Sequence, residues 1–269
     1  MLRGRPIRGL SILITGASSG IGQALALALA REGARLVVAA RREDRLKAVA
    51  GACRDAGGEA IAWPTDVTRA ADVERAVGAA VEQFGRVDVL VNNAGSGIYR
   101  SVERTAVEDL AAMLEVNLIG AFHGVKAVLP HMRREGKGQI VTVASLVAKR
   151  AMPRMGAYSA AKAAVVALDE SLRVELRGSG IQVTTVYPGA TATEFQQVAS
   201  GGALAGSSRL GPRQPADACA RAIVRAIRRP RSHVYPVFGT RMIGPLVEMM
   251  PWLADWLSGV AMRRFRPET

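Results

Sequence analysis

Histidine, cysteine and acidic residues are all in short supply here, and each shortage narrows what the chain can do. Two cysteines, Cys53 and Cys219, are widely separated and have no metal-ligand spacing. They can build neither a disulfide framework nor a zinc site, and they fit a reducing, cytoplasmic compartment. His123, His131 and His233 are scattered with no cysteine or carboxylate cluster around them, so each reads as a surface or packing residue and no metal is expected. Asp and Glu number 23 against 36 Lys and Arg, a formal charge of +13. Such a balance can attract nucleic acid, an anionic membrane surface or an acidic substrate. The arginines fall singly or in pairs, with no basic block interleaved with aromatics, so no nucleic-acid partner is expected. The N-terminus is basic, but the apolar run that follows is too short for a signal peptide. No repeat, low-complexity linker or composition break divides the chain.

What the chain does have is apolar content, 49% of its 269 residues, and 28 glycines, enough for a packed α/β domain. β-type apolar runs alternate with alanine-rich helical stretches: 11–15, 35–40, 60–63, 87–92, 139–144 and 182–187 read as strands. Continuous apolar strands separated by helices indicate a parallel sheet covered on both faces. The expectation is one doubly wound α/β (Rossmann-type) domain over residues 1–240, with 241–269 as a C-terminal extension of it.

The first strand runs into Thr15-Gly16-Ala17-Ser18-Ser19-Gly20-Ile21-Gly22, and a helical pattern begins at once. Glycines at 16, 20 and 22 permit a tight turn and a close approach of backbone to a pyrophosphate, while the helix start offers unpaired N–H groups to the anion. The second strand ends in Ala39-Ala40-Arg41-Arg42. NAD sites usually place an acid there; two arginines suit a 2′-phosphate instead, which predicts NADP(H). Further on, Tyr158 and Lys162 stand at i and i+4 in an alanine-rich run, so a helix places them on one face. A neighbouring ammonium favours the phenolate, which predicts a tyrosine whose proton is available nearer neutral pH. Ser145 closes a strand-like run and offers a hydroxyl to hold a carbonyl oxygen.

Together these motifs resemble the short-chain dehydrogenase/reductase family over roughly residues 9–235. The glycine turn has the family's Thr-Gly-x-x-x-Gly-x-Gly form, Asn92-Asn93-Ala94-Gly95 closes the fourth strand, and Asn117, Ser145, Tyr158 and Lys162 follow in the family's order. The resemblance implies a catalytic set of Asn117, Ser145, Tyr158 and Lys162. Tyr158 is then acid/base, Ser145 orients the carbonyl, Lys162 holds the nicotinamide ribose, and Asn117 anchors a water relay to the lysine. It further implies adenine contact at Asp66 and Val67, cofactor contact at Asn93, Ala94 and Gly95, and nicotinamide carboxamide contact at Pro188, Gly189, Thr191 and Thr193. Transfer of the pro-S hydride and a homodimer or homotetramer are also what the family suggests. A cofactor-binding regulator without turnover and a membrane-associated scaffold are the rival readings.

The small, flexible run Ala199–Ser208 reads as part of a substrate lid, with Met152, Met155 and Phe195 as an adaptable apolar wall. Met242–Met262 is apolar and bracketed by Arg241 and by Arg263, Arg264 and Arg266. Glu248, Asp255, Pro245 and Pro251 argue against a membrane span. Leu246, Met250, Leu253, Leu257 and Val260 recur at helical spacing, which predicts an amphipathic element. It either caps the pocket or packs on another subunit, or it lies on a membrane surface through residues 241–266; any of these fits an alcohol or carbonyl substrate of hydrophobic character.

Overall fold

A computed structural model of the chain describes residues 4–199 and 213–262. Nine strands form among the described residues: β1 (Ser11–Thr15), β2 (Arg35–Ala40), β3 (Glu59–Pro64), β4 (Val89–Asn92), β5 (Gly138–Val143), β6 (Ile181–Val186), β7 (Thr191–Ala192), β8 (Gln214–Pro215) and β9 (His233–Val234). Seven make one parallel sheet in the order β3-β2-β1-β4-β5-β6-β9, and β7 pairs with β8 apart from it. The order reverses between β1 and β4, which opens a crevice beyond the strand ends where such folds hold ligands. Each strand expected from the apolar runs is present within two residues of its anticipated bounds. β9 was not expected, because two residues carry no periodic signal.

Both faces of the sheet are buried, as parallel sheets require. Ile12 and Ile14 join Leu25, Leu29, Ile223 and Ile227 on one side, while Leu13 joins Leu90, Val128, Met132 and Leu172 on the other. Alternate residues of one strand thus feed two separate cores. The first core is roofed by α1 (Gly20–Ala30), α2 (Glu43–Asp55) and α8 (Ala216–Arg228). The second is covered by α3 (Ala70–Phe84), α5 (Gly120–Glu135) and α6 (Gly156–Glu175).

Val107–Glu135 is one long helix with a defect in it. α4 (Val107–Leu114) passes into α5 through a π-helical turn, Glu115–Ile119, centred on Asn117. The whole element, Val107–Glu135, is long and apolar enough to cross a membrane by length and composition. Here Val125, Val128 and Met132 are buried against the sheet.

The C-terminal segment forms two helices, α9 (Ile243–Met249) and α10 (Pro251–Met262), following a short helix, α7 (Glu194–Ala199), earlier in the chain. Pro251 opens α10, where its missing N–H would have had no partner in any case. The expected single amphipathic stripe is not what packs inward. Leu253 and Val260 are half-buried, but Leu246, Met250 and Leu257 are exposed, as are Met242, Met249, Trp252 and Trp256. The bend at Met250 separates the two helices, so a spacing rule carried across it no longer describes one face.

Candidate active site

The turn after β1 is built around absent side chains. A Cβ at Gly16, whose φ is +65°, would sit 2.7 Å from the Ala94 Cα, and one at Gly22 would sit 2.5 Å from the Gly16 carbonyl oxygen. Both contacts are with backbone atoms, which cannot swing aside as a side chain could. Asn93 locks the turn to the end of β4: its Nδ2 donates to the Thr15 and Gly16 carbonyls at 2.9 and 3.1 Å, and the Asn93 and Ala94 N–H groups donate to Thr15 Oγ1. Ser19, the residue before α1, makes no side-chain cap, so the first N–H groups of that helix have no side-chain acceptor there. A tight glycine turn leading to a helix start of this kind is an anion cradle.

Beside the cradle, Arg42 donates from Nη2 to Ser18 Oγ at 3.1 Å and Ser19 Oγ at 3.0 Å. Its other amino group donates to Glu194 Oε2 at 3.2 Å, and Arg45 Nη1 reaches both Glu194 oxygens at 2.7 Å. Arg41 lines the same cleft. The Asp66 carboxyl titrates below the ordinary carboxylate range. Burial works against that shift, but hydrogen bonds from the Thr68 N–H and hydroxyl and the charges of Arg41 and Arg69 prevail. The Val67 carbonyl is taken by His123 Nδ1 at 3.0 Å, and Gly120 lets that helix close onto Val67.

At the other end, Tyr158 and Lys162 lie on α6, 7% and 4% exposed. Lys162 Nζ donates to the Val143 carbonyl at 2.9 Å and stands 5.9 Å from the centroid of the Tyr158 ring. The expected draw of the tyrosine toward neutral pH is overturned. Burial pushes its pKa up to about 12, with only a hydrogen bond with Ser145 pulling the other way. Loss of phenolate hydration is the dominant cause, and the neighbouring amine is itself pushed down to about 8 by burial despite the charge of Asp169. Asp169 is buried too and raised to about 6, held by hydroxyls from Thr142 and Thr185. Ser145 Oγ also accepts the Val147 N–H at 3.3 Å.

Asn117 explains the π turn. In a regular helix the Met113 carbonyl would accept the Asn117 N–H; here Asn117 Nδ2 donates to that carbonyl at 2.9 Å and also to Ser96 O. The side chain therefore satisfies the group that the wider turn releases. Its Oδ1 is buried with no partner, and a Cβ at Gly95 would lie 2.9 Å from it and 3.5 Å from Lys162 Nζ. An unpartnered acceptor beside the lysine is what a water relay requires.

One cleft of about 700 Å³ joins the two ends. It is lined by Gly16, Ser18, Ser19, Gly20, Ile21, Arg41, Arg42, Asp66, Val67, Asn93, Ala94, Gly95, Ser145, Tyr158, Lys162, Pro188, Gly189, Thr191 and Thr193. Gly22 and Asn117 stand behind the lining, acting through the turn and the helix defect. Thr191 Oγ1 donates to Gly189 O at 3.0 Å and accepts from Gln214 Nε2 at 2.9 Å. Met152, Met155 and Phe195 all reach the cleft, and the Phe195 ring lies 5.3 Å from that of Tyr158. Gly97 admits that ring: a Cβ there would fall 2.5 Å from its Cζ. Most of the expected lid, residues 200–208, lies outside the described residues. Glu194, Arg45, Arg150, Ile243 and Ser258 were missed. Glu194 and Arg45 meet only through folding, and Ile243 and Ser258 place α9 and α10 at the rim.

A parallel sheet with a glycine cradle at its switch point and a buried Tyr–Lys pair opposite defines a dinucleotide-binding oxidoreductase scaffold. The family described as short chain dehydrogenase matches residues 11–202, and the chain belongs to it. Glycine betaine reductase of Emericella nidulans is 36% identical over 84% of this chain, which spans only 18% of that larger protein. An uncharacterized oxidoreductase of Listeria innocua is 38% identical, over 70% of this chain and 77% of its own length. An 11-beta-hydroxysteroid dehydrogenase-like protein of Arabidopsis thaliana is 33% identical over 93% of this chain and 81% of its own. Among solved structures, a short chain dehydrogenase/reductase from Burkholderia phymatum in complex with NAD superposes with a TM-score of 0.85 at 30% identity, covering 93% of this chain and 96% of the other. An alcohol dehydrogenase from Thermococcus sibiricus complexed with 5-hydroxy-NADP gives 0.75 at 32%, covering 84% and 95%. The cleft fits a nicotinamide dinucleotide: the glycine cradle excludes any side chain where a pyrophosphate would approach, and cations flank it.

Proposed function

We propose that this protein is an NADP(H)-dependent oxidoreductase interconverting an alcohol and a carbonyl on a hydrophobic small molecule, with Tyr158 as acid/base. The observation that carries the reading is that Tyr158, Ser145 and Lys162 together line the cleft that the glycine cradle opens into. The dinucleotide, when bound, supplies or accepts hydride at the carbonyl carbon. In reduction, Tyr158 gives its proton to the carbonyl oxygen while Ser145 holds that oxygen in place. Lys162 holds the ribose and supports the charge left on the phenol, and Asn117 Oδ1 anchors the water that returns a proton. The high pKa of free Tyr158 keeps it protonated, which suits delivery of a proton. A non-catalytic regulator or scaffold would have no use for this arrangement.

For the cofactor, Arg41 and Arg42 line the cleft directly after β2, where the 2′ position of an adenosine ribose would lie, with no carboxylate on β2 to accept from a hydroxyl there. Ser18, Ser19, Gly20 and Ile21 hold the pyrophosphate, Asp66 and Val67 the adenine, and Asn93, Ala94 and Gly95 with Pro188, Gly189, Thr191 and Thr193 the nicotinamide half. For the substrate, Ile98, Leu146, Met152, Met155, Phe195 and Ile243 make an apolar wall. The similarity to an 11-beta-hydroxysteroid dehydrogenase-like protein supports the same class. The inner side of α9 and α10 caps that wall. Their outer side, with Trp252 and Trp256 exposed and Arg241, Arg263, Arg264 and Arg266 flanking it in sequence, suits the surface of an anionic membrane. The chain works as a homodimer or homotetramer in the cytoplasm, where its free, buried Cys53 and Cys219 stay reduced.

The test is a panel of alcohols, ketones and aldehydes followed by NADPH absorbance, with Tyr158→Phe as control. Turnover falls by about two orders of magnitude or more in the variant, while NADPH affinity stays within about twofold. Cofactor binding with no turnover across the panel defeats the proposal.

A further inference from the structure

The three-way contact of Arg42, Arg45 and Glu194 has no place in the chemistry above. Glu194 opens α7, on the segment that leaves the nicotinamide end of the cleft. It nevertheless lies across the adenosine end, because Thr193 is packed onto Gly20 of the cradle, with its Cγ2 only 3.0 Å from where a Gly20 Cβ would be. Its two carboxylate oxygens take 2.7 Å contacts from Arg45 and a 3.2 Å contact from Arg42. The pairing is strong enough to hold the Glu194 carboxyl below its usual range, first through the hydrogen bonds from Arg45 and Arg42 and then through their charges. Arg42 meanwhile reaches Ser18 and Ser19 with its remaining N–H groups. An anion with two oxygens on two guanidinium groups, next to the hydroxyls of the glycine turn, takes the same donors that a phosphate held in that place would take.

We infer that Glu194 is an internal competitor for the cofactor's 2′-phosphate: it occupies Arg42 and Arg45 until the phosphate displaces it, and so sets how strongly the protein prefers NADP(H) over NAD(H). The inference rests on the NADP(H) reading above and adds Arg45 to the phosphate-binding cations. All three side chains are close to half exposed, at 46%, 48% and 45% for Arg42, Arg45 and Glu194. Phosphate can therefore enter without unfolding anything, and water and salt weaken the ion pairs. Exposed pairs of this kind are individually weak. Releasing two of them converts to a gain in phosphate affinity of roughly two- to thirtyfold. A bare 2′-hydroxyl carries no charge to compete with the carboxylate, so it leaves the clasp intact. The adjacent residue is Phe195, whose ring lies on Tyr158, so displacement of Glu194 acts on the side chain that covers the reacting end.

The experiment uses Glu194→Gln, which keeps size and removes the charge, and reads binding rather than turnover. Adenosine 2′,5′-bisphosphate and 5′-AMP are titrated by calorimetry into wild type and variant at low and at moderate salt, and thermal melts show that both are folded. The expected result is bisphosphate affinity raised roughly two- to thirtyfold in E194Q, with 5′-AMP unchanged and the gain shrinking as salt rises. If wild type prefers the bisphosphate but E194Q changes neither ligand, or both alike, the inference is overturned and the NADP(H) reading stands. Should wild type show no preference, the NADP(H) reading falls; a preference appearing only in E194Q would still carry the competitor role. Weaker 5′-AMP binding in E194Q overturns it outright, since Glu194 would then be serving the ribose hydroxyl.

Discussion

Replacing Lys162 by methionine is expected to make the cofactor-free protein more stable at neutral pH while removing its activity. The amine is 4% exposed, and burial lowers its pKa from 10.5 to about 8. At about 1.4 kcal/mol per tenfold change, keeping that charge inside the folded protein costs roughly 3 kcal/mol at pH 7. Methionine fills a similar volume without the charge. Against this gain stands the 2.9 Å hydrogen bond to the Val143 carbonyl, whose loss leaves a buried acceptor alone at a cost of about 1–2 kcal/mol. The net expectation is roughly 1–2 kcal/mol of added stability, or a few degrees in Tm for a chain of this size. The pH dependence is the sharper test. Below about pH 8 the lysine is charged in both states and the full penalty applies. Between about 8 and 10.5 the unfolded chain holds the proton and the folded one does not, so wild-type stability rises with pH. The variant lacks this rise, and wild type overtakes it near pH 10. Urea unfolding followed by tryptophan fluorescence, at pH 7 and at pH 10, measures the gap. A variant less stable than wild type at pH 7, or a gap that does not move with pH, refutes the reasoning.

Gly22→Ala forces a methyl to 2.5 Å from the Gly16 carbonyl, with Asn93 Nδ2 at 2.6 Å. Stability should fall by about 1–3 kcal/mol, and NADPH affinity should fall further than that of Tyr158→Phe; an unaltered dissociation constant would show that the turn can shift. Trp252→Ala with Trp256→Ala should lower co-sedimentation with anionic vesicles at low salt, leaving the melting temperature and small-substrate turnover unchanged. Wild type that does not co-sediment removes the membrane reading.

Much of the architecture could be read in the sequence because it repeats. Leu13 between Ile12 and Ile14 is a strand buried on both faces, and six such runs separated by helices allow few sheets other than a parallel one. The cradle was legible for a different reason: glycines at 16, 20 and 22 mark positions where no side chain fits, and the exclusion is written in residue type. The π turn at Asn117 was not, since asparagine in a helical pattern gives no sign of which carbonyl its amide will take. Nor was the two-sided character of the C-terminal segment, because the break at Met250 resets the helical phase.

The sequence alone determined the sheet, the cradle and the candidate reacting residues, since each depends on local periodicity or on a residue type with one conformational use. Tertiary structure decided the electrostatics. That Tyr158 and Lys162 are neighbours follows from their spacing, but burial is the largest cause of both pKa shifts, and burial depends on everything packed around them. The pairing of Glu194 with Arg42 and Arg45 likewise joins segments about 150 residues apart. No pattern along the chain encodes it; it exists because Thr193 packs on Gly20 and carries the next residue to the far end of the cleft.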